Sequence, residues 1–239
     1  MTAKISARSR GLCVRSATVL SLSIAGAAFA GPTWDGDLDS DAGNTASTAQ
    51  VVTQSGPVME IKGRVSATAF MGNPDYADMF LIRIAAPTML KFSTAGGDNG
   101  GSANFDSSLF LFKAAEGTTG PRAFGVLGNG DYSQSMNGAL IQSQSNDGSG
   151  FVLTDPGLYY IAISMAGFNP MSDNSLIWPN VPAGVIGFGN FSPLTGWTNE
   201  SNNQGGEYSI RTVGIEGVPA PGAIALFALA GLTRRSRAR

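Results

Sequence analysis

The chain has 239 residues, with 15 basic and 17 acidic side chains, one cysteine and no histidine. Without histidine, Ser-His-Asp and Cys-His catalysis and nearly all zinc sites are excluded. The length fits one domain of ordinary size between two terminal segments.

The first 30 residues have the layout of a secretory signal peptide. Four basic residues precede residue 16, a mildly apolar run covers 17–28, and Ala28 and Ala30 are small residues of the type that signal peptidase accepts. We expect cleavage after Ala30 and export. The apolar run is shorter than the ~20 residues that span a bilayer, which disfavours a permanent anchor. Cys13 would leave with this peptide, so the mature chain would have no thiol.

Without its two ends the chain is distinctly acidic. Between residues 31 and 232, seven basic residues face 17 acidic ones, a formal charge of −10 against −2 for the whole chain. Such a surface repels phosphate backbones, so nucleic acid is excluded as a partner. It also attracts cations.

Residues 31–57 form a polar lead-in with an acidic cluster. Four carboxylates stand at alternate positions, with Asn44 close by: Asp35, Asp37, Asp39 and Asp41. Calcium prefers several hard oxygen ligands from a flexible loop, so calcium is the one cofactor that this cluster suggests. The cluster does not match an EF-hand loop, which has glycine at position six and a bidentate acid at position twelve. Counted from Asp37, the glycine comes one position late, at Gly43, and position twelve is Thr48. The alternatives are a solvated acidic segment, or an ion held at a loop end by Asp75, Asp78 and Asp106.

Residues 58–217 are predicted to form a single all-β domain. Ten short runs rich in β-branched and aromatic residues alternate with turn residues: 59–65, 79–84, 90–94, 109–112, 123–127, 139–142, 151–153, 158–164, 185–188 and 208–213. No window between residues 33 and 217 holds a clear helical apolar period. The pattern predicts an antiparallel β-sandwich or jelly roll, flanked by a signal helix and a short C-terminal apolar helix.

The least regular stretch, 168–206, is predicted to be a long loop that carries aromatic residues. Trp178 and Trp197, with Phe188 and Phe191, are candidates for stacking on an extracellular glycan or a surface protein. The alternative is that these rings cover one open end of the sandwich, because large aromatic side chains are usually at least partly buried.

Several segments between residues 46 and 165 resemble bacterial pre-peptidase C-terminal domains, which are jelly-roll sandwiches of secreted proteins. The resembling segments are 47–52, 63–65, 75–82, 92–97, 105–112 and 153–163. The most specific is 105–112, an aspartate beside a strand of alternating Leu and Phe. The resemblance implies a binding or structural appendage, with collagen or carbohydrate among the ligands known in the family.

The end of the chain resembles a PEP-CTERM sorting signal read by an exosortase. Val218, Pro219 and Pro221 begin it, the apolar segment 223–232 follows, and four arginines end it. Ten residues make only ~15 Å of helix, so the resemblance implies transient membrane association before processing, with 218–239 as the sorting tail. Ala220 departs from the glutamate usual in the family. The alternatives are an ordinary C-terminal transmembrane hairpin and an apolar end with no sorting role.

Taken together, these features predict a non-enzymatic cell-surface or extracellular-matrix protein whose sandwich mediates adhesion or structural contacts. Its partners during export would be signal peptidase and an exosortase-like enzyme. A calcium-dependent carbohydrate- or protein-binding module is the alternative from another class. A carboxylate-based hydrolase is a third, because paired acids can catalyse glycoside hydrolysis without histidine.

Overall fold

The computed structural model describes residues 33–37, 41–70, 73–133, 137–178, 184–187, 193–198 and 205–219. Within these ranges the regular structure is almost entirely strand. Two 3₁₀ turns lie at Pro87–Met89 and Gly97–Asn99. The strands are β1 (Thr33–Asp35), β2 (Gln50–Val51), β3 (Glu60–Phe70), β4 (Asn73–Asp75), β5 (Ala77–Ile84), β6 (Lys91–Ser93), β7 (Ser102–Ala103), β8 (Ser107–Gly117), β9 (Gly120–Asn129), β10 (Leu140–Gln142), β11 (Gly157–Met165), β12 (Pro170–Ser172), β13 (Ser175–Leu176), β14 (Ile186–Gly187), β15 (Gly196–Trp197), β16 (Gly205–Val213) and β17 (Ile215–Glu216).

The strands form two large sheets and one small one. Sheet I has the order β1-β3-β16-β6-β10, with β4 paired to β3 and β7 to β16. Sheet II has the order β14-β9-β8-β11-β5-β17, with β2 paired to β5. The small sheet III has the order β13-β12-β15. Most pairs are antiparallel, but β1 pairs with β3, and β2 with β5, in parallel.

Sheets I and II pack face to face around one large core, which confirms the predicted all-β sandwich. In β5, Phe80, Ile82 and Ile84 point into this core, whereas Met79 and Leu81 belong to a second apolar cluster. The same alternation occurs in β8, whose residues 107–112 are all buried. Because successive side chains of a strand point to opposite faces, both faces of sheet II are covered.

Nine of the ten predicted runs contain a strand, and the prediction for 151–153 is wrong. In this run only Val152 makes a bridge, to Gln144, and its side chain is exposed. The bridge consists of one pair of backbone hydrogen bonds, from the N–H of Ser145 to the carbonyl of Phe151 and from the N–H of Leu153 to the carbonyl of Ser143, and Pro156 soon afterwards has no N–H with which to continue a ladder.

The structure also corrects two predicted boundaries. The lead-in contributes β1 and β2, so it belongs to the sandwich. The stretch 168–206 was predicted to be a loop, but its described residues include β12, β13, β14 and β15. Across the described ranges, no helix has the length and apolar character needed to cross a membrane.

Candidate metal centre

The lead-in crosses from one sheet of the sandwich to the other. Its first strand lies on β3 of sheet I, and its second lies on β5 of sheet II. The two strands are tied to each other, because Trp34 donates from Nε1 to Gln50 Oε1 over 2.8 Å. Gln50 in turn donates from Nε2 to the carbonyl of Gly36 over 3.0 Å. These two bonds therefore hold β1 and β2 together at the edge of the sandwich.

This crossing brings three carboxylates together. One oxygen each of Asp41, Asp75 and Asp78 lies within 4.8 Å of the others. Asp75 ends β4, and its carboxylate accepts the N–H of Ala77, which fixes the turn into β5. Asp41 comes from the lead-in and shares a side-chain hydrogen bond with Asp75. We call these three residues the aspartate triad.

Asp78 is the buried member of the triad. It lies in β5 in phase with Phe80 and Ile82, so its side chain points between the sheets, and it is 2% exposed. Tyr208 donates from its hydroxyl to Asp78 Oδ2 over 2.5 Å. Asp78 Oδ1 is also buried, and no described residue hydrogen-bonds to it.

The hydroxyl of Tyr208 reaches Asp78 only because a glycine lies opposite it. Tyr208 of β16 pairs with Gly63 of β3. A Cβ at position 63 would lie 2.3 Å from the Tyr208 hydroxyl oxygen, far inside van der Waals contact. The glycine therefore provides the space through which one sheet donates a hydrogen bond to the buried carboxylate of the other.

The triad concentrates negative charge in a poorly solvated place. Burial raises the pKa of Asp75 to about 7, and the charge of Asp41 contributes to the rise. Burial also raises the pKa of Asp78 well above its ordinary value, with the charge of Asp75 as the second cause. The pKa of Tyr208 is raised by its own burial and then by the charge of Asp78, so its hydroxyl keeps its proton. The triad therefore needs protons or a cation to balance its charge.

The four aspartates of the predicted acidic cluster do not form one metal site together. Asp41 joins the triad, whereas Asp35 Oδ1 accepts the backbone N–H of Asp37 in a local turn over 3.2 Å. Asp37 lies outside the coordinating group, although its charge contributes to the raised pKa of Asp75 and of Asp78. Asp39 lies outside the described residues. Two members of the alternative set, Asp75 and Asp78, are in the triad, but Asp106 is not.

Asp106 belongs to a different pair of acids at a small cavity. Its side chain shares a hydrogen bond with Asp131, and burial followed by the charge of Asp131 raises the pKa of Asp106. The cavity has a volume of about 150 Å³ and is also lined by Ser108, Gly167 and Asn169.

The two candidate tryptophans pack on the outer face of sheet II, not at an open end of the sandwich. Trp178 is 3% exposed and contacts Phe110 and Phe112, with ring centroids 5.4 Å and 5.6 Å away. Trp197 is half-buried, with its ring edge against Phe110, and it donates from Nε1 to the carbonyl of Asn44 over 2.7 Å. Burial leaves Trp178 no free face for a sugar. Phe188 and Phe191 lie outside the described residues.

Of the predicted processing residues, Ala28, Ala30 and Pro221 lie outside the described part of the chain. Val218 donates its N–H to the carbonyl of Val52 over 2.7 Å, and Pro219 is exposed. The tail predicted from the sequence therefore begins at the last backbone hydrogen bond of the described sandwich.

The sequence pattern does not identify Tyr208 as a site residue, and it does not join Asp41 to Asp75 and Asp78. The available signal for Asp78 was its phase, because a carboxylate in register with Phe80 and Ile82 has to be buried. For Tyr208 the signal was weaker, since the glycine opposite it is identified only once the strands are paired.

Fold and site define the class: an all-β sandwich protein with a carboxylate triad, one member of which is buried, formed by the lead-in, β4 and β5. Comparison with protein-family models, with curated proteins and with solved structures returns no significant match.

Proposed function

We propose that this protein is a non-catalytic, exported β-sandwich module of the cell surface or extracellular matrix that binds calcium at the aspartate triad. One observation carries the metal proposal. Asp78 Oδ1 is a buried carboxylate oxygen that nothing in the described structure satisfies, and a carboxylate oxygen of Asp41 and one of Asp75 lie within 4.8 Å of an oxygen of the same side chain. A buried charge is costly unless it is paired or coordinates a metal.

The donor set selects a hard cation. The triad offers only carboxylate oxygens, the ligand type of calcium and magnesium. Asp41 is exposed, so its side of the site is open to water molecules that complete a coordination shell. Calcium accepts six to eight oxygens in flexible geometry, whereas magnesium demands a near-ideal octahedron. A site built from three separate segments suits the more tolerant ion.

Calorimetric titration of the chelator-treated protein with calcium tests this assignment. Extracellular modules bind calcium with Kd values of roughly 10⁻⁴–10⁻³ M, and we expect one site in or below that range. Magnesium, titrated in parallel, should bind more weakly. No calcium heat at millimolar concentrations would refute the metal site, and tighter magnesium binding would reassign the ion.

Three observations support a non-catalytic role. The chain has no histidine, and its one cysteine lies at position 13. The Asp106–Asp131 carboxyls share a hydrogen bond, whereas glycosidase carboxyls stand about 5–9.5 Å apart with the sugar between them. The adjoining cavity of about 150 Å³ is smaller than the roughly 300–1,000 Å³ of ordinary ligand pockets, so this acid pair has no pocket of substrate size, although an open groove of about 420 Å³ is lined by Glu60 and Glu207 elsewhere. An adhesive or structural role is the proposal that remains.

Carbohydrate binding through the two tryptophans has less support, because Trp178 is buried. A glycan array in the presence of calcium addresses this alternative directly. Specific, calcium-dependent binding to a glycan would replace the structural proposal with a lectin-like one.

Export and sorting rest on the sequence resemblance at the two ends of the chain. Deleting residues 219–239 tests the tail and retains Val218, whose N–H donates within the sandwich. We expect the deletion to alter cell-surface location and processed mass. A matched variant with Pro219→Ala and Pro221→Ala keeps the apolar segment and separates motif recognition from hydrophobicity. Unchanged location and mass in the deletion variant would refute a sorting role.

A further inference from the structure

The outer face of sheet II is apolar, which is unusual for the solvent side of a two-layer sandwich. Alternate residues of its central strands form this face, and all of them are buried: Met79, Phe110, Phe112, Tyr160 and Ala162. A face of this composition needs a cover, because exposing it to water is unfavourable.

Two segments provide the cover. The first consists of residues 170–178 and 193–198, which we call the strap and which contain sheet III. Four apolar side chains of the strap pack on the face: Ile177, Trp178, Leu194 and Trp197. The second is the lead-in, from which Ala46 and Ala49 pack against the same cluster. The strap and the lead-in therefore share one apolar floor, although they are far apart in sequence.

A hydrogen bond between described residues joins the two covers directly. The indole N–H of Trp197 donates to the backbone carbonyl of Asn44 over 2.7 Å. This bond lies three residues along the chain from the triad member Asp41. It therefore connects the strap to the segment that carries part of the metal site.

Every residue between Asp41 and Asn44 is fixed in place. Ala42 is 3% exposed and belongs to the core between the large sheets. The carbonyl of Gly43 accepts the N–H of Met79 over 3.0 Å, and Met79 directly follows Asp78. Asp41 and the carbonyl that accepts from Trp197 are therefore joined by two residues that pack against the sandwich, with no free loop between them.

We propose that the aspartate triad and the strap are coupled through residues 41–44, so that cation binding holds the strap closed over the apolar face of sheet II. This coupling rests on the cation site proposed above. Because such coupling is reciprocal, weakening the strap contact lowers the affinity for the cation, and removing the cation loosens the strap. The strap should therefore open more often, and expose the apolar face more often, when the triad is empty than when it is occupied.

Hydrogen exchange and calorimetry on the full chain test the coupling. In the wild type, calcium should slow amide exchange in 170–178 and 193–198, and chelation should increase binding of an apolar fluorescent dye. Trp197→Phe keeps a ring against Phe110 but removes the donor. Since one hydrogen bond contributes on the order of 1 kcal/mol, this variant should bind calcium about three- to ten-fold more weakly.

Thr195→Val is the matched control. Its hydroxyl accepts the N–H of Asp173 over 2.6 Å, a bond wholly inside the strap, so its calcium Kd should stay within about two-fold of wild type. Asp41→Asn provides a variant that leaves the strap sequence intact. With calcium present, its strap should exchange as fast as that of the chelated wild type.

The outcomes separate the two proposals. If the wild type binds calcium but exchange in the strap is unchanged, or Trp197→Phe binds as tightly as wild type, the coupling is refuted and the cation site stands. If the wild type binds no calcium, both are refuted. The coupling is supported only if calcium slows amide exchange in the wild-type strap and Trp197→Phe, but not Thr195→Val, binds calcium more weakly.

Discussion

Replacing Asp78 by asparagine should remove the response to calcium while leaving the fold intact. Asparagine has nearly the same shape, and its carbonyl oxygen can accept the hydrogen bond of Tyr208 that Asp78 Oδ2 now accepts. What the substitution removes is the charge of a side chain that is 2% exposed. In the chelated protein we expect an unchanged or higher Tm, because a buried carboxyl with a raised pKa gives way to a neutral group.

The size of the lost response follows from linkage. A ligand that binds only the folded state at 100 times its Kd stabilises that state by about 2.7 kcal/mol. For a chain of 150–250 residues, each kcal/mol moves Tm by about 2–4 °C. Saturating calcium should therefore raise the Tm of the wild type by roughly 5–10 °C, and the Tm of Asp78→Asn by about 1 °C or less.

Thermal unfolding followed by circular dichroism, with calcium or with chelator, measures these shifts. Asp106→Asn is the matched control, because Asp106 is also a carboxyl with a raised pKa but faces Asp131 in another cavity. It should keep the full calcium shift. A normal calcium shift in Asp78→Asn, or a shift lost equally in both variants, would refute the role of the triad.

Two further predictions concern stability. In the chelated protein, burial holds the pKa of Asp75 at about 7, above its unfolded value. The folded state therefore binds more protons than the unfolded state, and stability should fall as pH rises from 5 to 7, on the order of 2 kcal/mol in urea titrations. Calcium should flatten this trend, and stability that rises with pH would contradict it. Trp178→Ala should cost about 3–5 kcal/mol, because the ring fills the space over Phe110 and Phe112. Tyr132→Ala, at a side chain 42% exposed, should cost under about 1 kcal/mol, and equal losses in the two variants would disprove the covering role of Trp178.

The lead-in shows which feature of the site could not be predicted from neighbouring residues, namely the partners of Asp41. The alternate carboxylates at 35, 37, 39 and 41 suggested one calcium loop, because spacing along the chain was the only geometry available. In the fold, Asp41 is carried across the sandwich edge by the parallel pairing of β1 with β3 and of β2 with β5. Parallel pairing between distant segments has no short-range turn signal, so the partners of Asp41 were not predictable from the lead-in itself.

The burial of Trp178 and Trp197 on the outer face of sheet II was also not predictable from neighbouring residues. Aromatic residues in an irregular stretch fit both a binding surface and a cover, and composition does not distinguish the two. The structure distinguishes them because sheet II has a second apolar face, which the tryptophans cover. The consecutive apolar residues of β8 indicate such a face only once it is known which of them point into the main core.

The amino-acid sequence was sufficient to predict the class of fold, because period-two patterns and turn residues act over a few neighbouring positions. It also determined the acidic charge and excluded histidine chemistry, since both follow from composition. Which carboxylates meet and which aromatic rings are buried depends instead on how the sheets pack. Tyr208 and Asp78 are 130 residues apart, and their hydrogen bond exists because two sheets pack face to face over Gly63. Contacts of that kind depend on the packing of whole sheets, which no local pattern encodes.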